Sequence, residues 1–350
     1  MPIRPADLLA PSFAFALVVW SLASGAPLPA GGNAARAWGM LALLFALIVI
    51  VPHALSRAKL PARRRALAGH ALFAVFAVSL LLLPAVDRPG DPLVVGIIGL
   101  GTLIVYFFGR GRGRYEPAEF LYRFSPFLLA AMAYANLGSI LPAPAATSDG
   151  WLAAMDLRIF AVHPSLSLER FATPAMDDWF SLHYAIYIAY PVFCGLALYA
   201  TDRRDDFERL FLRVPLALFA GNLSYAAFPA AGPRVFLLAL YRHADLPGGF
   251  LTRTQDALVG GYAYRYDSFP SLHTTVSLLA ILSIRRAFPR AFLFALFMEA
   301  NLLASTIFLR MHFVVDLIAG VFFAIAVHQV ALTIERARAR APGDVTDVAR

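Results

Sequence analysis

Cysteine is almost absent from this chain. Cys194 is the only one in 350 residues, so no intramolecular disulfide and no cysteine-based metal site can form. Its place inside an apolar run reads as a small core residue. Lysine is equally scarce: Lys59 stands alone and every other basic side chain is arginine. Charge of either sign is thin, at 15% of residues, where ordinary soluble domains carry about 25%. With 60% hydrophobic residues and a mean hydropathy of +0.67, that deficit excludes a soluble globular protein. The chain reads as a polytopic membrane protein. No internal repeat or low-complexity segment stands out.

A membrane span needs about 20 apolar residues. On that scale ten candidates appear, near 8–24, 36–55, 66–86, 92–109, 121–141, 179–200, 208–228, 271–287, 289–308 and 312–334. The fold class expected is therefore all-α, a bundle of about ten transmembrane helices. A net charge of +8 in a soluble protein would suggest nucleic acid, but these arginines sit in short loops between apolar runs. Arg57, Arg63–Arg65, Arg110, Arg112, Arg114, Arg203, Arg204, Arg285, Arg286, Arg290, Arg336, Arg338 and Arg340 follow every second span. The positive-inside bias then puts both termini in the cytoplasm and the starts of spans eight and ten on the opposite face, with the long connections 142–178 and 229–270. No nucleic-acid partner follows. The first run precedes Ala23-Ser24-Gly25-Ala26, which resembles a cleavage site; an uncleaved first helix is the expectation. The stretch from Trp151 to Phe171 mixes apolar and charged residues and reads as an interfacial piece.

Two short stretches carry ionisable groups where an apolar run begins, and such groups need a reason to be there. The first is Ser268-Phe269-Pro270-Ser271-Leu272-His273. Pro270 suits a first helical turn and Ser268 an N-cap. The free N–H groups of that helix start and the Ser271 hydroxyl suit an anion. The second is His312-Phe313-Val314-Val315-Asp316. A spacing of four puts His312 and Asp316 on one helix face, so that the carboxylate fixes the imidazole tautomer and frees the other nitrogen. Arg234, in Gly232-Pro233-Arg234, and Arg310 are candidate phosphate clamps. A nucleophilic His312, an orienting Asp316, a proton-donating His273 and the arginines make a kit for phosphoryl transfer without a metal or cofactor. His163, His243 and His328 show no metal-ligand spacing.

Other polar residues have plainer readings. Glu299 in span nine suits a helix–helix hydrogen bond, and Ser305 a packing hydroxyl. Asp177 and Asp178 suit caps of span six. His183, Tyr184, Tyr187 and Tyr190 climb that span as a cavity lining or an aromatic packing face.

The motifs resemble those of the type 2 phosphatidic acid phosphatase superfamily of membrane lipid phosphatases and phosphotransferases. Its pattern is Lys-x6-Arg-Pro, Pro-Ser-Gly-His and Ser-Arg-x5-His-x3-Asp. Here Pro270-Ser271-Leu272-His273 has Leu for Gly, and Ser305-Thr306-x5-His312-x3-Asp316 has Thr for Arg. The first part survives only as Pro233-Arg234, reversed and without its Lys. The variants are similar to the inositol phosphorylceramide synthase branch, with its Gly-Pro-Arg, Phe-Pro-Ser-Leu-His and His-x3-Asp. The resemblance covers roughly residues 120–334. It implies accessory helices over 1–115, a six-helix catalytic core over 116–335 and a cytoplasmic tail over 336–350. It also implies an inner-membrane enzyme that moves a phospho-headgroup such as phosphoinositol between donor and acceptor lipids through a phosphohistidine on His312. Arg234, Arg310 and Ser271 would bind the phosphate.

A lipid phosphatase or pyrophosphatase using water, on phosphatidate or a polyprenyl carrier, is the alternative. A non-catalytic lipid transporter is a third reading. The Asp-Gly-x2-Ala-Arg pattern of enzymes that use CDP-activated alcohols is absent. Oligomeric state is not legible. Lipid turnover by the purified protein is expected to persist in EDTA; activity lost to the chelator and restored by a divalent metal would overturn the metal-free route.

Overall fold

The computed structural model describes residues 143–340 apart from 188 and 263, together with Ser12 and scattered positions between 123 and 141. The expected spans near 8–24, 36–55, 66–86 and 92–109 lie outside the described residues, as does the end of the tail. The described positions from Arg123 to Leu137 are helical. Beyond them run α1 (Asp149–Phe160), α2 (Pro164–Leu168), α3 (Pro174–Ile186), α4 (Ala189–Ala200) and α5 (Arg204–Ala227). They are followed by α6 (Pro233–Phe236), α7 (Phe250–Tyr262), α8 (Leu272–Ile284), α9 (Pro289–Phe308) and α10 (Val314–Arg340). Among the described residues there is no strand.

Helices α5, α9 and the Val314–Ala337 part of α10 are long and apolar enough to cross a membrane. The expected continuous span over 179–200 is instead the bent pair α3 and α4, which meet at 48° and make a fourth crossing if counted as one. Its N-cap is Thr173, whose hydroxyl accepts from Met176 N–H. Asp177 and Asp178 do not cap: they accept from Gly248 N–H and Thr252 N–H, both at 2.9 Å, and so tie down the 229–270 connection.

Helix α8 is the hub, packed against α4, α5, α9 and α10. It is apolar or small on every side, as a helix surrounded by others must be. Lipid offers no hydrophobic drive between helices, so contact rests on close packing and interhelical polar bonds worth about 0.6–2 kcal/mol each. Thr275 Oγ1 reaches the Gly320 carbonyl of α10 at 2.9 Å. Ser277 Oγ donates to Glu299 of α9 at 2.7 Å, the helix–helix bond expected of that carboxylate. A Cβ on Gly320 would come within 2.6 Å of the Ser271 carbonyl, so this crossing accepts no side chain. Elsewhere α9 and α10 expose Leu293, Phe294, Phe297, Phe322 and Ile325, the apolar face a bilayer requires.

The helix directions sort the charges. Arg213 of α5 pairs with Glu335 near the end of α10 at 2.9 Å, and Arg209 lies alongside. The starts of α8 and α10 lie at the opposite end of the bundle. There a second, smaller apolar cluster (Leu152, Ala153, Ala230, Leu237, Tyr241, Phe313 and Val315) forms a cap. Helix α1 belongs to it, and Trp151, Ile159 and Phe160 stay exposed as suits an interfacial element.

Arg310 locks this cap. Its φ of +64° turns the chain between α9 and α10. The guanidinium donates to the His243 carbonyl at 2.8 Å and to Glu169 at 3.2 Å, and stacks 3.8 Å over Tyr241. Burial opposes ionisation of Glu169, but the N–H donors of Arg242 and His243, with Arg310, outweigh it and hold the carboxyl below the usual range. With the pair 2% and 7% exposed, Arg310→Ala strands a buried carboxylate and is expected to cost about 3 kcal/mol. Unfolding in detergent checks this; a loss within 0.5 kcal/mol, on the order of an ordinary surface change, refutes it.

Candidate active site

His312 does not lie on a helix. It precedes α10, which begins at Val314, and its N–H and that of Met311 both donate to the Thr306 carbonyl. The spacing of four still works, for a different reason. Asp316 sits in the first turn and reaches back to the Phe313 N–H at 2.9 Å, one half of a capping box. The same Oδ2 lies 3.4 Å from His312 Nδ1. Helix-start geometry, not a shared helical face, brings the two together.

The first motif is corrected in the same way. Helix α8 begins at Leu272 with Ser271 as N-cap, its hydroxyl accepting from Thr274 N–H at 3.3 Å. Pro270 and Ser268 lie outside the helix. Ser268 is instead central: its hydroxyl donates to Asp316 Oδ2 at 2.6 Å and lies 3.2 Å from His312 Nδ1. Asp316 therefore acts on His312 directly at long range and through Ser268 at short range. Asp316 and Ser271 have no exposed surface, and His312 is 3% exposed.

His273, in the first turn of α8, faces His312 from the other side. Its Nδ1 is 3.0 Å from His312 Nε2. The rings of Tyr184 and Tyr187 flank it at 4.5 and 4.3 Å; of the other two in that climb, His183 packs on Trp179 and Tyr190 lies in the apolar core. With His312 Nδ1 turned to Ser268 and Asp316, Nε2 keeps a lone pair directed at His273. This tautomer is the one the hydrogen-bond network assigns.

The Gly232-Pro233-Arg234 turn joins the site through its backbone. Arg234 N–H donates to the Arg310 carbonyl at 2.7 Å. Gly232, at φ +81°, passes so close to Met311 that a Cβ would meet its carbonyl oxygen at 2.4 Å. Only glycine fits that turn beside the His312 loop. The half-buried Arg234 guanidinium pairs with Asp256 at 2.7 Å. The Arg310 guanidinium is committed to Glu169 and two carbonyls instead. Of the two expected clamps, Arg234 is the one whose partner sits in a half-exposed ion pair.

Two residues that the sequence did not single out hold these parts in place. Asp149 and Asp156, two turns apart on α1, are 1% and 2% exposed. Asp149 accepts from the N–H groups of Ala231 and Gly232 at 2.9 and 2.8 Å. Asp156 accepts from those of Val314 and Val315, both at 3.0 Å, capping α10 from another helix. The signal available was a spacing of seven, with Leu152 and Ala153 between, which puts one carboxylate at each end of a buried stripe. Among the described residues, no group of three or more His, Cys, Asp or Glu side chains is placed to hold a metal ion.

An all-helical, membrane-spanning fold with two imidazoles in contact at the mouth of its bundle defines a class of integral membrane protein built around a histidine pair. The family model described as the PAP2 superfamily matches residues 150–330, more than half of the 350, and the chain belongs to that superfamily of type 2 phosphatidic acid phosphatases. Membership points to lipid phosphatase or phosphotransferase chemistry and to lipid substrates. No curated protein and no solved structure gives a significant match.

Ser268→Ala removes a hydrogen bond to a buried carboxylate. A loss of about 1.5–3 kcal/mol corresponds to roughly a 10–100-fold fall in kcat, with KM little changed and partial rescue by Ser268→Thr. Unaltered kcat would show that Asp316 orients His312 without the serine.

Proposed function

We propose that the protein is a metal-independent lipid phosphotransferase that moves a phospho-headgroup between lipids through a phosphohistidine on His312. The observation that carries this reading is the contact of His312 Nε2 with His273 Nδ1 at 3.0 Å, with Ser268 and Asp316 holding the other imidazole nitrogen.

In the first step Nε2 of His312 attacks phosphorus, which enters between the two imidazoles. The N–P bond forms, the P–O bond to the donor lipid breaks, and His273 protonates the leaving oxygen. In the second step an acceptor hydroxyl attacks phosphorus, its proton passes to His273 and the N–P bond breaks. Asp316 stabilises the imidazolium that forms. Arg234 exchanges Asp256 for the phosphate oxygens. The start of α8, held by its Ser271 cap, adds the favourable end of a helix dipole. Arg310 acts through the loop it holds.

The Leu272 and Gly-Pro-Arg variants favour the headgroup-transferring branch over the phosphatases, with phosphoinositol as the headgroup that branch suggests. Water is the acceptor in the alternative reading. Residues 116–335 form the catalytic core in this proposal, with 1–115 as accessory helices. The arginines at the far end of the bundle favour a site on the outer face of a bacterial inner membrane.

The test is purified protein with labelled phosphatidylinositol, phosphatidate or polyprenyl phosphate, with and without ceramide or diacylglycerol, followed by mass spectrometry. A new phospholipid supports transfer; a water-soluble phosphate without one (inositol phosphate from phosphatidylinositol, inorganic phosphate from the two monoesters) supports the hydrolase. His312→Ala is expected to abolish turnover and His273→Ala to slow it by about 10²–10⁴-fold. Full activity in either variant sinks the mechanism.

A further inference from the structure

One acidic side chain stands beside the histidine pair without serving it as Asp316 does. Asp267 immediately precedes Ser268, the hydroxyl that touches both His312 and Asp316. Its backbone cannot turn away: Asp267 forms a parallel bridge with Ala230, in which Ser268 N–H donates to the Ala230 carbonyl at 2.9 Å and Ala230 N–H to the Tyr266 carbonyl at 3.3 Å. Its half-buried carboxylate accepts a hydrogen bond from the Tyr134 hydroxyl. It lies within electrostatic reach of His312, and of Tyr184 and Tyr187, the rings that flank His273, as well as Tyr225.

A fixed carboxylate at a phosphate site is a charge filter. A phosphomonoester carries nearly two negative charges at neutral pH, whereas a phosphodiester carries one, so Asp267 penalises the monoester more. A diester also brings a headgroup, and a carboxylate accepts hydrogen bonds from its hydroxyls. The surroundings suit hydroxyls better than a full cation. The Tyr134 hydroxyl already donates to one carboxylate oxygen, and the phenols around it both donate and accept.

We propose that Asp267 is a specificity residue, selecting phosphodiester lipids with a hydroxylated headgroup and disfavouring phosphomonoester lipids. The inference rests on the phosphoryl-transfer reading of the histidine pair and names the substrate class for that site.

The experiment compares kcat/KM of wild-type protein and Asp267→Asn on phosphatidylinositol, phosphatidylglycerol, phosphatidylethanolamine and phosphatidate in mixed micelles. Wild type is expected to favour the two hydroxylated headgroups. In Asp267→Asn their kcat/KM falls about tenfold, while that on phosphatidate rises. A role in folding alone moves all four lipids the same way, so the opposite signs are diagnostic. If Asp267→Asn does not accumulate, Asp267→Ser, which removes the charge and keeps an acceptor for Tyr134, must give the same inversion. Parallel changes on all lipids, a loss confined to phosphatidylethanolamine, or a wild type that prefers phosphatidate overturns the proposal. His312→Ala in the same assay separates the two levels. Retained activity there means the histidine reading has failed; a dead His312→Ala beside an Asp267 variant without inversion means only this inference has.

Discussion

A carboxylate taken out of water is costly unless donors surround it, and this constraint organises the end of the bundle that carries the histidine pair. Asp316 has no exposed surface and draws in the Ser268 hydroxyl and the Phe313 N–H. Asp156 collects the next two amides of the same helix start, and Asp149 collects two from the Gly232 turn. Asp177 and Asp178 do the same for the loop before α7 and for its first turn. Apart from the Phe313 N–H, each donor comes from a segment distant in sequence, so none of these carboxylates has its full set of donors until the loops have assembled. The site and the cap are therefore one cooperative unit.

Beneath that cap the rules are those of a membrane interior. Helix α8 carries His273 in its first turn and spends the rest of its length on close contacts, with Thr275 on Gly320 and Ser277 on Glu299. Its other small polar side chains find partners within the helix and its cap, Thr274 at Ser271 and Ser283 at the Ala280 carbonyl, as they must where no water competes. The hub that positions one imidazole is thus held by packing. The loop that positions the other is held by buried charge. The two meet at the 3.0 Å contact between the rings.

Membership of the PAP2 superfamily fits this division, since phosphoryl transfer asks for positioning and charge rather than elaborate covalent machinery. His273, His312 and Asp316 stood out in the sequence because ionisable groups are rare in so apolar a chain. Gly232-Pro233-Arg234 stood out by its turn chemistry. Helices α5, α9 and α10 could be read from hydropathy, because a continuous apolar run has few alternatives in lipid. The span expected over 271–287 is instead the 13-residue α8, apolar but shorter than the helices long enough to cross. The break between α3 and α4 left no mark in hydropathy; its signal was Pro191, in the first turn of α4.

Ser268, Asp149 and Asp156 were misread or passed over because their partners are far away or carry no side-chain signature. Asp149 serves amides 82 and 83 positions along the chain, and Asp156 amides 158 and 159 positions along. A backbone N–H looks the same at every residue, so no composition or spacing could announce those bonds. Arg310 shows the complementary limit: its charge suited a phosphate, and only the fold revealed Glu169, Tyr241 and two carbonyls waiting for it. By itself the sequence determined the membrane class, the late helices and the rare groups able to do chemistry, because those follow from residue type and local order. Which nitrogen each imidazole presents, and which carboxylates hold the loops, was decided by tertiary structure, because desolvation and hydrogen-bond geometry exist only once distant segments meet.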